Sequence, residues 1–224
     1  MDDVRVIEIK ENIFKSNDDE ACKLRDSLKK KGTLLINLMS SPGSGKTTTL
    51  MHTLSLLQDK YKIAVMEADI DSKIDAETIN KLGKVEAIQL HTGGMCHLTA
   101  DMTRQGIDSL SSDNYDLIII ENVGNLVCPA EFDTGSHINV NILSVPEGDD
   151  KPLKYPLMYQ VCQLFIINKI DVAPYFDFSI DKAKDNILYR NKDAYIIPIC
   201  AKTGSGCEKI AEYLEKEILK IKGE

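Results

Sequence analysis

Apolar residues in this 224-residue chain recur as short blocks separated by polar or helix-patterned stretches. The blocks are TLLINLM (33–39), KIAVMEA (62–68), VEAIQL (85–90), YDLIIIE (115–121), VNILSV (140–145), CQLFIIN (162–168) and AYIIPI (194–199). Several are unbroken rather than alternating, the pattern of strands buried on both faces. Between most of them the pattern predicts helices, over 46–59, 73–82, 97–110, 180–190 and 207–221. Strands alternating with helices predict an α/β fold, a mainly parallel sheet flanked by helices on both faces. Ahead of the first strand, charges interleave with Ile7, Ile13, Phe14, Leu24 and Leu28. KSNDDEACKLRDSLKKKG predicts a helix entered at Ser16 or Asn17 and stopped by Gly32. The expected organisation is a helical appendage, residues 1–32, packed on a domain of residues 33–224.

In a parallel sheet of this kind, ligands gather beyond the carboxyl ends of the strands. The first such loop is SSPGSGKTTTL, residues 40–50. Gly45, Lys46 and Thr47 match the end of a phosphate-binding P-loop, with Ser40 where the pattern begins with glycine. The N–H groups of Gly43, Ser44, Gly45, Lys46 and Thr47 can wrap phosphates at a helix N-terminus, and Thr48 follows in the same turn. Lys46 can reach the β- and γ-phosphates, and the Thr47 hydroxyl can bind Mg2+. A plain Gly-Ser turn would not explain a Lys-Thr pair in this register. The expected fold is therefore a P-loop NTPase, a three-layer sandwich.

The sixth strand ends in NKID, residues 168–171. A carboxylate there can accept two hydrogen bonds from guanine, a donor pair that adenine lacks. Asn168, Lys169 and Asp171 are the expected base readers, and CAKTGSG, with Ala201 and Lys202, resembles the loop in GTPases that supports the base through a backbone N–H. GTP is the expected nucleotide. Near the phosphates, MEADIDSKIDAE offers Asp69, Asp71 and Asp75, and the fourth strand ends in Glu121. These carboxylates need a divalent cation between them and the phosphates. Glu121 is a candidate for a Mg2+-bound or attacking water. Gly124 can bring its N–H to the γ-phosphate.

Softer ligands lie close by. Cys96 and His97 follow the third strand and Cys128 follows the fourth; loops after neighbouring strands would open on one edge. Two thiolates and an imidazole suit Zn2+ or Ni2+ rather than Mg2+. The set is one ligand short, which water, another side chain or a second copy would supply. His91 is a lesser candidate.

Composition adds exclusions. A net charge of −8 argues against a general nucleic-acid or membrane-surface binder. No apolar run is long enough to span a bilayer, and the acidic first residues do not form a secretory signal. The 6 cysteines are scattered, as expected for reduced thiols in a cytoplasmic protein.

Taken together, SSPGSGKTT, TGGMCHL, ENVGNLVCP, VPEGDDKPLKYP, NKID and KTGSG resemble the hydrogenase nickel-incorporation GTPases (HypB), which are SIMIBI-type P-loop NTPases. The resemblance runs in order along nearly the whole chain, and that family accepts the Ser40 variation. It implies a GTPase, forming GDP and phosphate, that serves as a metallochaperone delivering nickel to [NiFe]-hydrogenase. It implies a homodimer when GTP is bound, with Cys96, His97 and Cys128 holding metal at the interface. Lys154 resembles the residue reaching the partner's nucleotide, and Asp75 the switch carboxylate near Mg2+. The implied partners are a nickel-accessory maturation protein and the hydrogenase large subunit. Two features depart from some members: residues 1–20 hold neither a cysteine motif nor a histidine-rich tract, and Asp101 stands where a further histidine can occur. Urease-type nickel GTPases are the nearest alternative, but their Cys-Pro-His motif is absent. NKID counts against a P-loop kinase, and turnover requiring Lys46 would exclude a passive metal binder. ENVGNLVC would then join a nucleotide-sensing Glu121 to a metal-sensing Cys128.

Overall fold

The computed structural model describes residues 9–69 and 74–223, with side chains described over 14–68 and 76–223. A long helix, α1 (Ile9–Lys31), leads into β1 (Leu34–Ser40) and α2 (Lys46–Leu57). Then come β2 (Ile63–Asp69), α3 (Ile74–Asn80), β3 (Val85–His91), α4 (Ala100–Asp108) and β4 (Leu117–Glu121). A single turn, α5 (Cys128–Glu131), precedes β5 (Ile138–Ser144), α6 (Lys151–Lys154), α7 (Pro156–Val161) and β6 (Leu164–Asn168). The chain closes with α8 (Ile180–Arg190), β7 (Tyr195–Pro198) and α9 (Cys207–Lys222). The 7 strands form one parallel sheet in the order β3-β2-β4-β1-β5-β6-β7.

The continuous apolar blocks are explained by burial from both sides. Leu34, Ile36 and Leu38 of β1 pack with Val65 and Ile119 under Leu50 and Leu54 of α2 and Ile210 and Leu214 of α9. The opposite face carries two separate clusters. Leu35, Met66 and Ile120 lie with Leu24 and Leu28 of α1. Met39, Leu143 and Phe165 lie with Met158 of α7 and Ile187 of α8. Between these clusters runs a polar seam. Asn37, only 1% exposed, accepts from the Asn122 amide at 3.0 Å and donates to Asn139 at 3.2 Å. The bond to Asn122 ties the chain just after Glu121 to the centre of the sheet.

Three expectations need correction. The helix expected from Ser16 or Asn17 already runs from Ile9, the first described residue. Asn17 caps another helix instead: its side-chain oxygen accepts from the Ala100 N–H at 3.0 Å, at the start of α4. Second, β3 and β4 are not neighbours, because β2 lies between them. Their following loops still converge, since Leu98 inserts beside Ile120 and Val123 and carries its loop back toward β4. Third, the pattern did not predict α5, α6 and α7. Each has proline in its first turn, where the missing N–H costs nothing. Among the described residues, no helix is long and apolar enough to cross a membrane.

Candidate nucleotide and metal sites

The phosphate loop is braced from below by the residue that departs from the P-loop pattern. Ser40 is fully buried at the end of β1 and accepts the Ser44 hydroxyl at 2.6 Å. Lys46 Nζ reaches Ser40 Oγ at 3.3 Å and lies 4.0 Å from Glu121 Oε1. Gly45 enters α2 with φ at 97°, in the left-handed region. A Cβ there would also lie 2.5 Å from Asn168 Nδ2, so backbone and space both require glycine.

Asn168 stitches the base side together. Its amide donates to the Ser44 carbonyl at 2.8 Å, and its oxygen accepts from the N–H groups of Lys169 at 2.7 Å and Ala201 at 3.0 Å. Lys169 Nζ donates to the Gly43 carbonyl at 2.7 Å. Asn168 is thus committed to backbone, and Asp171 is the exposed carboxylate beside a cavity of about 440 Å3 that Thr48, Ala201 and Lys202 also line.

On the other side, the Thr47 hydroxyl donates to Glu121 Oε1 at 3.2 Å, and Glu121 is only 5% exposed. A hydroxyl and a carboxylate are hard oxygen donors that fit Mg2+. The side chains of Asp69 and Asp75, and all of Asp71, lie outside the described residues. Beyond Glu121 the chain crosses the P-loop closely. A Cβ on Gly124 would lie 2.9 Å from Pro42 Cγ and 3.1 Å from its Cα and N.

The same segment ends at a soft-ligand cluster. One ligand atom each from Cys96, His97 and Cys128 lie within 4.8 Å of one another, and Cys96 Sγ is 3.9 Å from His97 Nδ1. Around a tetrahedral ion, with metal–sulfur at about 2.3 Å and metal–nitrogen at about 2.0 Å, such atoms stand roughly 3.5–3.8 Å apart. A small contraction would close the three on an ion. The Cys96 thiol is held above its ordinary pKa, first by its hydrogen bond with the Cys128 thiol and then by burial. Burial lowers the pKa of His97 against the opposing charge of Glu131, favouring the neutral imidazole that binds metal. The His97 ring stacks on Phe132, with centroids 3.9 Å apart and planes at 14°. The segment that supplies Cys128 therefore also orients the histidine. His91 is exposed and not part of the cluster. Lys154 is exposed and paired with Asp150 at 2.6 Å.

Residues 34–198 match the family described as CobW/HypB/UreG, nucleotide-binding domain. The chain is 38% identical to the probable hydrogenase maturation factor HypB of Methanocaldococcus jannaschii, over 98% of this chain and 99% of that protein. The chain belongs to the HypB family. The Rhizobium leguminosarum bv. viciae HypB is 40% identical, covering 96% of this chain and 72% of that protein. The structure is similar to HypB from Helicobacter pylori in complex with nickel, with a TM-score of 0.85 and 38% identity, over 92% of this chain and 96% of that one. The span matched by the CobW/HypB/UreG family model includes the P-loop, Cys96, His97, Glu121, Cys128 and NKID, while Ala201 and Lys202 fall just beyond it. Sequence reasoning passed over two residues at these sites. Phe132 and Asn37 have no local signature, since their partners are distant in the chain.

Proposed function

We propose that this chain is a GTP-hydrolysing metallochaperone that delivers nickel during [NiFe]-hydrogenase maturation. The reading is carried by segment 121–128. Glu121 is bonded to the P-loop threonine at one end, Cys128 sits in the thiol–imidazole cluster at the other, and Gly124 rests on Pro42 between them. The relatives named as hydrogenase maturation factors, and the Helicobacter pylori HypB solved with nickel, support it.

The N–H groups of Gly43 to Thr47 wrap the phosphates, and Lys46 swings from Glu121 to the β- and γ-phosphates. Asp171 accepts the two guanine N–H donors, and the Ala201 loop, held by Asn168, supports the base. Mg2+, when bound, neutralises charge developing on the phosphates. Thr47 would hold it directly, with Glu121 and Asp75 direct or through water. Glu121 also orients the attacking water, and Gly124 offers its N–H to the γ-phosphate. Loss of that phosphate frees segment 121–128 and loosens the grip of Cys128 on its cargo. Ni2+ is that cargo, and Zn2+ suits the same three ligands.

The ligand shortage is met by a second copy, giving a homodimer in the GTP-bound state, with Lys154 reaching the partner's nucleotide. Residues 1–32 are an appendage on the GTPase domain, residues 33–224. A nickel-accessory maturation protein and the hydrogenase large subunit are the partners, in the cytoplasm. Sedimentation with GDP and with a non-hydrolysable GTP analogue, each with and without Ni2+, tests the reading. The analogue should raise the dimer fraction and change the Ni2+ affinity. One unchanged mass across the four conditions, together with one Ni2+ affinity for both nucleotides by chelator competition, would rule out the coupled dimer.

A further inference from the structure

The three soft ligands come from two stretches of chain, one after β3 and one after β4. These strands do not pair, so ladder bonds do not set the distance between the stretches. A helix from the far end of the sequence spans them instead. Asn17 of α1 is 9% exposed. Its side-chain oxygen accepts from the Ala100 N–H at 3.0 Å, just beyond His97. Its amide nitrogen donates to the Asp133 carbonyl at 2.8 Å, just beyond the turn that holds Cys128. One planar amide thus grips the backbone of both stretches, one by its acceptor and the other by its donor. A second link runs beside it. The Phe14 ring of α1 meets Phe132 with centroids 4.8 Å apart, and Phe132 in turn stacks on His97.

Leu24 and Leu28 already anchor α1 in the core. Apolar contact tolerates sliding, whereas a hydrogen bond holds its atoms within about 2.7–3.2 Å. Two such bonds from one side chain therefore fix a separation, and separation is what this metal site is sensitive to. Its ligand atoms lie within 4.8 Å of one another and must draw in by up to about an ångström to close on a tetrahedral ion.

We propose that Asn17 is a positioning residue of the metal site, and that α1 is the clamp that sets the separation of Cys96 and His97 from Cys128. This rests on the reading that these three side chains hold Ni2+. Asn17 is not itself a ligand and acts through the backbone of both stretches. The helical appendage is then a working part of the metal site, and a change in its docking is felt there as a change in affinity.

Ni2+ affinity would be measured by competition with a chelator, and the thiolate-to-nickel charge-transfer absorption recorded alongside. GDP binding without Ni2+ is the control. Asn17→Ala removes both bonds and should weaken Ni2+ binding about ten- to a hundredfold, the usual cost of losing a group that orients ligands. Its absorption should shift, and its GDP affinity should stay the same. Asn17→Asp keeps the acceptor for the Ala100 N–H but loses the donor to Asp133, so it should lose Ni2+ affinity as well. It carries the test if the alanine variant does not fold. Leu28→Val loosens α1 away from both bonds and should keep the wild-type affinity and absorption. Wild-type Ni2+ affinity and absorption in folded Asn17→Ala, or in Asn17→Asp if only that variant folds, overturn the proposal. An equal loss in Leu28→Val, or an equal loss of GDP binding, overturns it too, because general packing would then account for the effect. Wild-type protein that shows no thiolate-to-nickel absorption overturns the Ni2+ reading itself, a separate and recognisable result.

Discussion

At the scale of residues, the proposed base choice rests on division of labour within NKID. Asn168 is 1% exposed and spends its side chain on three backbone groups. Asp171 is exposed and its carboxylate lines the cavity. Asp171→Asn should therefore weaken GTP binding without unfolding the loops. Hydrogen bonds to a charged group contribute about 1.5–3 kcal/mol, so the expected loss is roughly ten- to a hundredfold. Xanthosine triphosphate should become the better ligand, because the new amide donates to the xanthine carbonyl. Calorimetry with both nucleotides checks this, and an unchanged preference for GTP would remove Asp171 from the base site. The position of Asp171 beside the cavity was legible in the sequence because its signal is short and local. The three-way role of Asn168 was not, because two of its partners lie 124 and 33 residues away.

At the scale of elements, the apolar blocks announced each described strand, the central ones most plainly, since burial on both faces writes itself into consecutive residues. Strand order left no such trace: nothing in the third or fourth block says that β2 separates them. Helix α1 was legible as a helix but not for its contacts. Asn17 reads as a local cap, yet it serves α4, and Arg25 bonds to Asp133 at 2.6 Å and to the Ser136 carbonyl at 2.8 Å. The same junction holds a pH-sensitive group. His137 Nδ1 accepts from the Leu35 N–H at 3.0 Å, and Nε2 donates to the Arg25 carbonyl at 3.2 Å, a pattern that needs the neutral ring. Burial lowers its pKa, and the Arg25 charge acts in the same direction. A depressed folded pKa gives stability that is present above the unfolded value of about 6.5 and is lost as pH falls through the folded value. Urea midpoints should therefore drop between pH 7.5 and mildly acidic pH. His137→Leu should be less stable at pH 7.5, by about 1–3 kcal/mol for the unpaired backbone groups, and should lose less on acidification. An equal acid-dependent loss in both proteins would clear His137 of the effect.

At the scale of the molecule, the nucleotide and metal sites are built on one segment rather than joined by a long relay. Residues 121–128 leave β4 at a carboxylate bonded to Thr47, are held at Asn122 by the seam through Asn37, cross Pro42 at Gly124 and end at a thiol in the metal cluster. Both ends were legible in the sequence as chemistry. The contact in the middle was not, because close approach of two loops depends on how they fold over each other. That contact offers a way to disturb communication while sparing both sets of ligands. Gly124→Ala places a methyl 2.9 Å from Pro42 Cγ and 3.1 Å from its backbone. Either the P-loop or the segment must shift, and they can no longer move as one. Coupling between two such sites is typically about 1–3 kcal/mol, or roughly 5- to 150-fold in affinity. The Ni2+ affinities of wild type with GDP and with a GTP analogue should differ by a factor in that range, measured by competition with a chelator. In Gly124→Ala the factor should shrink toward one, while Cys96, His97 and Cys128 still bind the metal. Cys128→Ala should do the reverse, losing most of the metal affinity with GTP binding nearly normal, since its thiol lies outside the phosphate cradle. If Gly124→Ala kept the full factor, the Pro42 contact would be mere proximity, and the message would have to travel through Asn122 and the polar seam instead.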